Sequence, residues 1–342
     1  MRKLLLIGTL ALIAAAAFAQ TAAPAPTTFE IYGSTFFDYQ MSGTEWAWAT
    51  PGLADFTFSK LRFGFRAQLN DSVKSFFEFD PRNAEFRLAY IDWTAMPGLT
   101  ITAGKTFTDF QQIVAIYGAG RSYLAGVKYA VPGLGWINLQ VGNKSDLGFL
   151  SGNYLIFPQP TASSNTGVNV VQDPWLYVWP AIVAKPDLGP DLSLEVGVES
   201  QMRPQLIGAA NPTALDLDAY FTIAAAGFTF TNEFTYFNIN DSNTANQELT
   251  YYAQLTYTAG MVAPTVYLVT DTKKDFTNNP NTAIGIELPI TVAKNFVINP
   301  LFSYAISNYN AFEGNNAIVK NFYNKNDWTF GVRFSYSYSQ KF

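Results

Sequence analysis

Cysteine and histidine are both absent from the 342 residues of this chain. Without cysteine there is no disulfide framework, no thiolate chemistry and no thiol to carry a lipid anchor. Without histidine, acid or base catalysis at neutral pH requires a carboxylate or a lysine with a strongly shifted pKa. We therefore expect a protein that is not an enzyme and that uses no cofactor or metal ion.

Long hydrophobic runs are also missing, because no stretch of about eighteen apolar residues occurs after Gln20. This excludes a membrane-spanning helix from that part of the sequence. Apolar residues nevertheless make up 49% of the chain and aromatic residues 16%. An excess of positive charge is missing too: the formal net charge is -5, which gives no reason to expect nucleic-acid binding.

The amino terminus has the pattern of a cleavable export signal. Met1-Arg2-Lys3 supplies positive charge, residues 4–17 are apolar, and Ala17-Phe18-Ala19 has the small-x-small order of a cleavage site. We predict a signal peptide over residues 1–19, followed by a short lead over residues 20–28.

Beyond the lead, short segments alternate between apolar and polar residues. Over residues 60–69 the odd positions are Leu, Phe, Phe, Ala and Leu, whereas the even positions are Lys, Arg, Gly, Arg and Gln. The same period of two recurs over residues 192–199 and 249–258. It is the period of a β-strand with lipid on one side and water on the other. Because strands that cross lipid must pair in a closed ring, we predict an all-β fold, a transmembrane antiparallel β-barrel over residues 29–342.

Tight turns and longer loops alternate along this region. The tight turns contain Gly, Pro, Asn or Asp and fall at 70–72, 96–98, 132–134, 187–190, 226–227, 260–261 and 294–295. The longer connections fall at 41–54, 107–120, 145–172, 203–214, 240–246, 272–281 and 309–326, with a shorter one at 80–84. This alternation predicts sixteen strands, with fourteen or eighteen as alternatives.

Two segments resemble a known class of proteins. The last residues, DWTFGVRFSYSYSQKF, alternate aromatic side chains and end in Phe342, which resembles the assembly signal of outer-membrane barrels. The segment FRLAYIDWTAMPGLTITAGKTF resembles a hairpin of the general and phosphate-selective porins. The resemblance to outer-membrane β-barrel porins implies a place in the cell outer membrane, contact with its lipid, recognition of Phe342 by the barrel assembly machinery, and a homotrimer. It assigns no subfamily, and the few tightly grouped basic residues do not support phosphate specificity.

In the porin class the third outer loop commonly folds into the channel and narrows it. The corresponding stretch here begins at Phe107, and its polar residues Asp109, Gln111 and Gln112 are the candidate constriction residues. A second interpretation is a loop that packs its apolar residues on the inner wall and only fills space. Both interpretations stay open, because the stretch carries a single acid.

Basic residues concentrate in the early strands. Between Lys60 and Lys128 there are nine basic and six acidic residues, whereas the rest of the predicted mature chain holds a net charge of -10. We predict a basic pore wall formed by Lys60, Arg62, Arg66, Lys74, Arg87 and Lys105. Opposed by acids elsewhere, this wall predicts a transverse field and a mild ion selectivity, and the alternative is a set of ordinary solvated side chains in a polar lumen.

Other polar and aromatic groups are interpreted without a special site. The pairs Asp216/Asp218 and Glu195/Glu199 are predicted to line a solvated lumen wall rather than to hold a cation. The acidic loop after Asp271 suits calcium chemically, but such loops are common without metal. The aromatic residues Trp46, Trp48, Trp175, Tyr177 and Trp179 are assigned to the interfacial girdle in preference to a sugar-binding track.

We therefore expect a porin, a water-filled channel through which small hydrophilic solutes and ions diffuse passively. The alternative is a structural or adhesive outer-membrane barrel with a blocked lumen.

Overall fold

The computed structural model describes residues 28–43, 55–82, 85–110, 121–143, 177–203, 214–237, 239, 247–271, 281–306 and 328–342. The predicted signal peptide and nearly all of the lead lie outside these residues. In the described part, no helix is long and apolar enough to cross a membrane.

The described chain folds into strands throughout. They are β1 (Thr28–Gly43), β2 (Asp55–Gln68), β3 (Val73–Asp80), β4 (Glu85–Met96), β5 (Leu99–Phe107), β6 (Arg121–Val131), β7 (Gly135–Asn143), β8 (Tyr177–Ala184), β9 (Leu192–Arg203), β10 (Ala214–Ala225), β11 (Phe228–Phe237), β12 (Glu248–Tyr257), β13 (Thr265–Asp271), β14 (Asn281–Glu287), β15 (Ile290–Ala293), β16 (Phe296–Ala305) and β17 (Trp328–Lys341).

The strands form one closed antiparallel ring. Neighbours in sequence pair with each other, and β17 pairs with β1 in a continuous register from Glu30 opposite Lys341 to Gly43 opposite Trp328. The segments β14 and β15 both pair with β16 and are separated only by Leu288 and Pro289, so together they make one barrel strand. The ring therefore has sixteen barrel strands over the described residues, which confirms the predicted fold class and strand number.

Tight turns occupy one rim of the barrel at all seven predicted places. The turn between β10 and β11 is typical: Ala226 and Gly227 have φ angles of 50° and 84°. Two successive residues with positive φ match the twist of a two-residue hairpin. The strand ends that the longer connections join lie at the opposite rim, and most residues of those connections are outside the described part of the chain.

The two faces of the sheet are the reverse of those in a water-soluble protein. Large apolar side chains point outward and are exposed, as in Phe63, Val198 and Val266, whereas many of the buried side chains are polar and point inward, as in Asp38 and Glu199. An apolar exterior around a polar interior suits a barrel surrounded by lipid, because lipid offers no partner to a polar group.

Candidate functional site: the barrel interior

The three basic residues of β2 share the inner face of the barrel. Lys60, Arg62 and Arg66 lie opposite residues of β1 whose side chains also point inward. The Arg66 guanidinium lies 3.5 Å from a Glu30 carboxylate oxygen and its central carbon 4.6 Å from the Tyr32 ring centroid. The alternation of the sequence predicted this common face, and in the register all three residues pair with inward-facing residues of β1.

A β-bulge adds Arg87 to the same wall. Glu78 pairs with Leu88 and Phe79 pairs with Phe86, so Arg87 is the extra residue of β4. Its Nε lies 3.2 Å from Glu78 Oε1, and the Nε of Arg62 lies 3.7 Å from the same oxygen. Two guanidinium groups therefore share one carboxylate, as β-bulges often allow by redirecting a side chain.

Arg333 on β17 belongs to this group, although the sequence analysis did not single it out. It makes a bidentate ion pair with Asp38 of β1, with distances of 2.8 Å from Nε to Oδ1 and 2.9 Å from Nη2 to Oδ2. Arg333 and Lys60 both lie against the Phe36 ring, at 4.9 Å and 4.4 Å from its centroid. The sequence pattern could have placed Arg333 on the inner face, because it lies between the outward-facing Val332 and Phe334.

The two remaining predicted wall residues take different positions. Lys74 is exposed near the turn rim and pairs with Gln68 and Asp92, which keeps it on the inner face as predicted. Lys105 pairs with Ala89 and Tyr123, which point outward, so its expected place in the pore wall is wrong. Lys105 is buried on that outer face, with its ammonium 5.8 Å from the Tyr123 ring centroid. The alternation of side chains along β5 decides which face of the barrel the Lys105 side chain is on.

The connection after β5 turns into the lumen at its start. The backbone N–H of Asp109 donates to Gln140 Oε1 at 2.8 Å, and Gln140 Nε2 donates to the Phe107 carbonyl at 3.3 Å. Asn138 donates to the Asp109 carboxylate. Burial raises the pKa of Asp109, and the Asn138 hydrogen bond opposes that shift. The other two candidate constriction residues, Gln111 and Gln112, lie outside the described residues.

Phe110 fixes this segment against the inner wall. It is 2% exposed and packs with Leu124 of β6 and Trp179 of β8, while its ring meets that of Phe237 edge-on at 6.2 Å. The rings of Tyr177 and Trp179 stack at 5.6 Å between centroids. The girdle assignment is therefore wrong for Tyr177 and Trp179, because strand parity points both inward. The other tryptophans of that group, Trp46, Trp48 and Trp175, lie outside the described residues.

A group of carboxylates lines the inner face of β9, β10 and β11 on the same side of the barrel. The exposed fractions are 0% for Glu199, 8% for Asp216, 1% for Asp218 and 2% for Glu233. The wall is thus acidic as predicted, but these four residues are covered rather than solvated. Glu195, nearer the turn rim, stays partly exposed and pairs with Lys185 at 2.8 Å.

Neutral polar groups hold part of this acidic wall in place. Trp179 Nε1 donates to Gln201 Oε1 at 3.0 Å, and Gln201 Nε2 donates to Asp216 Oδ2 at 2.9 Å. The Tyr220 ring lies so close over Gly197 that an added Cβ there would be 2.1 Å from a ring carbon. The absence of a side chain at Gly197 therefore leaves room for the Tyr220 ring on this wall.

Comparisons with known proteins agree on the fold. No family model matches the sequence, and no curated protein matches it. Among solved structures, OmpT, an outer membrane protein of Vibrio cholerae in its trimer form, matches with a TM-score of 0.59 at 14% identity, over 92% of this chain and 100% of that one. The anion-selective porin from Comamonas acidovorans matches with a TM-score of 0.57 at 10% identity, over 92% and 100% of the two chains. Pseudomonas aeruginosa OpdQ matches with a TM-score of 0.51 at 10% identity, over 92% and 98%.

The chain has the fold of the outer-membrane β-barrel porins. Its closed ring and apolar exterior belong in the outer membrane, where barrels of this kind satisfy every backbone group internally.

Within this porin fold the two charged walls face each other. Seven barrel strands lie between β2 and β10 in either direction around the sixteen-strand ring, so the two strands are diametrically opposite. Lys60, Arg62, Asp218 and Glu233 all lie near the middle of their strands. The predicted opposition of basic and acidic residues is therefore present in the register of the barrel.

No group of three or more acidic residues in the described part of the porin barrel is arranged to hold a metal ion. The acidic loop after Asp271, considered above for calcium, lies outside the described residues.

Proposed function

We propose that this chain forms a water-filled pore for the passive diffusion of small hydrophilic solutes and ions across the outer membrane, without enzymatic turnover. Sixteen strands spaced about 4.8 Å apart and tilted about 40° enclose a ring roughly 30 Å across between backbones, too wide for side chains alone to fill. A ring of this size leaves room for an aqueous channel.

The position of residues 107–110 carries the proposal. This segment lies against β7 and the Phe110 cluster, on the side of the acidic wall. The opposite wall keeps charged side chains directed at the lumen, including Arg66, whose side chain is 50% exposed. A narrowed passage with hydrated charges along it is the arrangement that passes small polar solutes and ions.

Insertion of the purified, folded protein into planar lipid bilayers tests the proposal. We expect discrete conductance steps that scale with salt concentration. A heat-modifiable, folded protein that inserts and gives no steps contradicts the proposed pore.

The second candidate is a structural or adhesive barrel with a blocked lumen. It is favoured by the apolar cluster of Phe110, Leu124 and Trp179, which fills part of the interior. The same bilayer measurement separates the two candidates, since a blocked barrel inserts without conducting.

Oligomeric state is part of the proposal. One of the similar structures is a trimer form, and we propose a homotrimer for this chain. Light scattering of the detergent-solubilised protein, corrected for bound detergent, gives the mass of the assembly. A mass equal to one chain contradicts the trimer.

A further inference from the structure

We infer that the pore prefers anions, although the chain carries a net negative charge, because the acidic wall is covered while the basic wall faces the lumen. This inference rests on the proposed pore function and names the class of ion that the pore favours. Ion preference depends on the charges that a passing ion can approach, and not on the net charge of the sequence.

The carboxylates at the centre of the acidic wall are buried. Glu199, Asp218 and Glu233 are each 2% exposed or less. Phe110 packs on Trp179, and Trp179 is hydrogen-bonded through Gln201 to Asp216. The loop start therefore sits on the same part of the wall as the carboxylates. Glu199, Asp218 and Glu233 therefore present almost no surface to ions in the lumen.

On the basic wall the positive partner is the more accessible one in each ion pair. The Arg66 side chain is 50% exposed and that of its partner Glu30 is 18% exposed. Glu78 is 10% exposed, whereas its partners Arg62 and Arg87 are 22% and 13% exposed. Arg333 is 12% exposed and its partner Asp38 is 3% exposed. An approaching ion therefore meets the guanidinium groups before the carboxylates.

The middle of this wall also holds an excess of positive charge. Lys60, Arg62, Arg87 and Arg333 contribute four positive charges, whereas Glu78 and Asp38 contribute two negative charges. Lys60 lies against the Phe36 ring rather than in an ion pair among the described residues.

The width of the barrel makes the basic wall the stronger electrostatic influence on a passing ion. The two walls are roughly 30 Å apart between backbones, whereas charges in 0.1 M salt are screened over about 10 Å. Residues 107–110 occupy the acidic side, so among the described residues the basic side of the lumen is the more open one. Ions on that side are therefore within screening range of Arg62 and Arg66 but not of the covered carboxylates.

The test is the reversal potential of single channels in a KCl gradient at low ionic strength. We expect the wild-type channel to have a chloride-to-potassium permeability ratio above one. The double variant Arg62→Gln with Arg66→Gln should lower that ratio toward cation preference. The double variant Arg62→Lys with Arg66→Lys should keep the wild-type ratio, because the charge remains.

Two further variants distinguish the effect of a positive charge on the pore wall from the effect of a positive charge elsewhere on the protein. Lys294→Gln removes a positive charge from the turn between β15 and β16, outside the lumen, and should leave the ratio unchanged. Lys60→Gln removes a wall charge without breaking an ion pair, and should lower the ratio even if the arginine double variant fails to fold.

The outcomes distinguish this inference from the proposed function. A folded wild-type protein that gives no conductance contradicts the pore itself. A conducting wild-type channel that prefers potassium, or a ratio that Lys60→Gln and the arginine-to-glutamine change both leave unaltered, contradicts only the anion preference.

Discussion

Arg333 and Asp38 join the last strand of the barrel to the first. The two residues are 295 positions apart in the chain, yet their side chains make two parallel hydrogen bonds of 2.8 Å and 2.9 Å inside the β17–β1 seam. Asp38 is buried, and this arginine is its ion-pair partner. The pair therefore links barrel closure to the charge of the pore wall.

Replacing Arg333 with Gln should destabilise the barrel, because it leaves a buried carboxylate without its ion-pair partner. Breaking a buried ion pair in this way costs roughly 3 to 5 kcal/mol in the free energy of unfolding. Urea unfolding followed by tryptophan fluorescence in detergent measures the loss. The matched control is Arg66→Gln, whose half-exposed pair with Glu30 contributes about 0 to 1 kcal/mol. Equal stability losses in the two variants would count against the seam pair.

Phe342 completes the same seam through its backbone. Its N–H donates to the Phe29 carbonyl at 2.7 Å, and the Phe29 N–H donates to the Phe342 carbonyl at 3.2 Å. We predict that Phe342→Ala, which keeps both backbone bonds, folds normally in detergent but accumulates poorly in the outer membrane of cells. Deleting Phe342 should impair folding in both settings. The assembly role is refuted if Phe342→Ala reaches the membrane at wild-type yield, measured by heat-modifiable migration on gels.

Phe110 should control the size of the passage. Phe110→Ala removes the ring that holds the loop start against Leu124 and Trp179, so the segment loses its anchor. We expect a larger single-channel conductance and a shift of the reversal potential toward cations, because the acidic wall becomes accessible. Phe107→Ala is the matched control, since Phe107 is exposed on the outer face. Wild-type conductance in Phe110→Ala would mean that residues beyond 110 hold the loop by themselves.

The mature protein should begin at or within one or two residues of Gln20. Ala17 and Ala19 place small residues where a signal peptidase reads them. Mass spectrometry of the intact protein from the membrane fraction measures the terminus directly. Recovery of a chain that starts at Met1 contradicts the export signal.

The sequence by itself determined the architecture. Side chains alternate with a period of two because successive residues of a strand point to opposite faces, and lipid tolerates only the apolar face. This local rule placed Lys60, Arg62 and Arg66 on the inner wall. Turn residues marked the seven hairpins, and five of these turns contain a glycine with positive φ, at positions 98, 133, 189, 227 and 260.

Only the tertiary structure decided which charges face one another and which remain accessible. The β-bulge on β4 adds Arg87 to the inner wall, and strand parity on β5 removes Lys105 from it. Closure of the ring brings Arg333 to Asp38, and the inward turn after β5 packs Phe110 against Leu124 and Trp179. These outcomes depend on pairings between residues far apart in the chain. Side-chain alternation within one strand carries no information about such pairings.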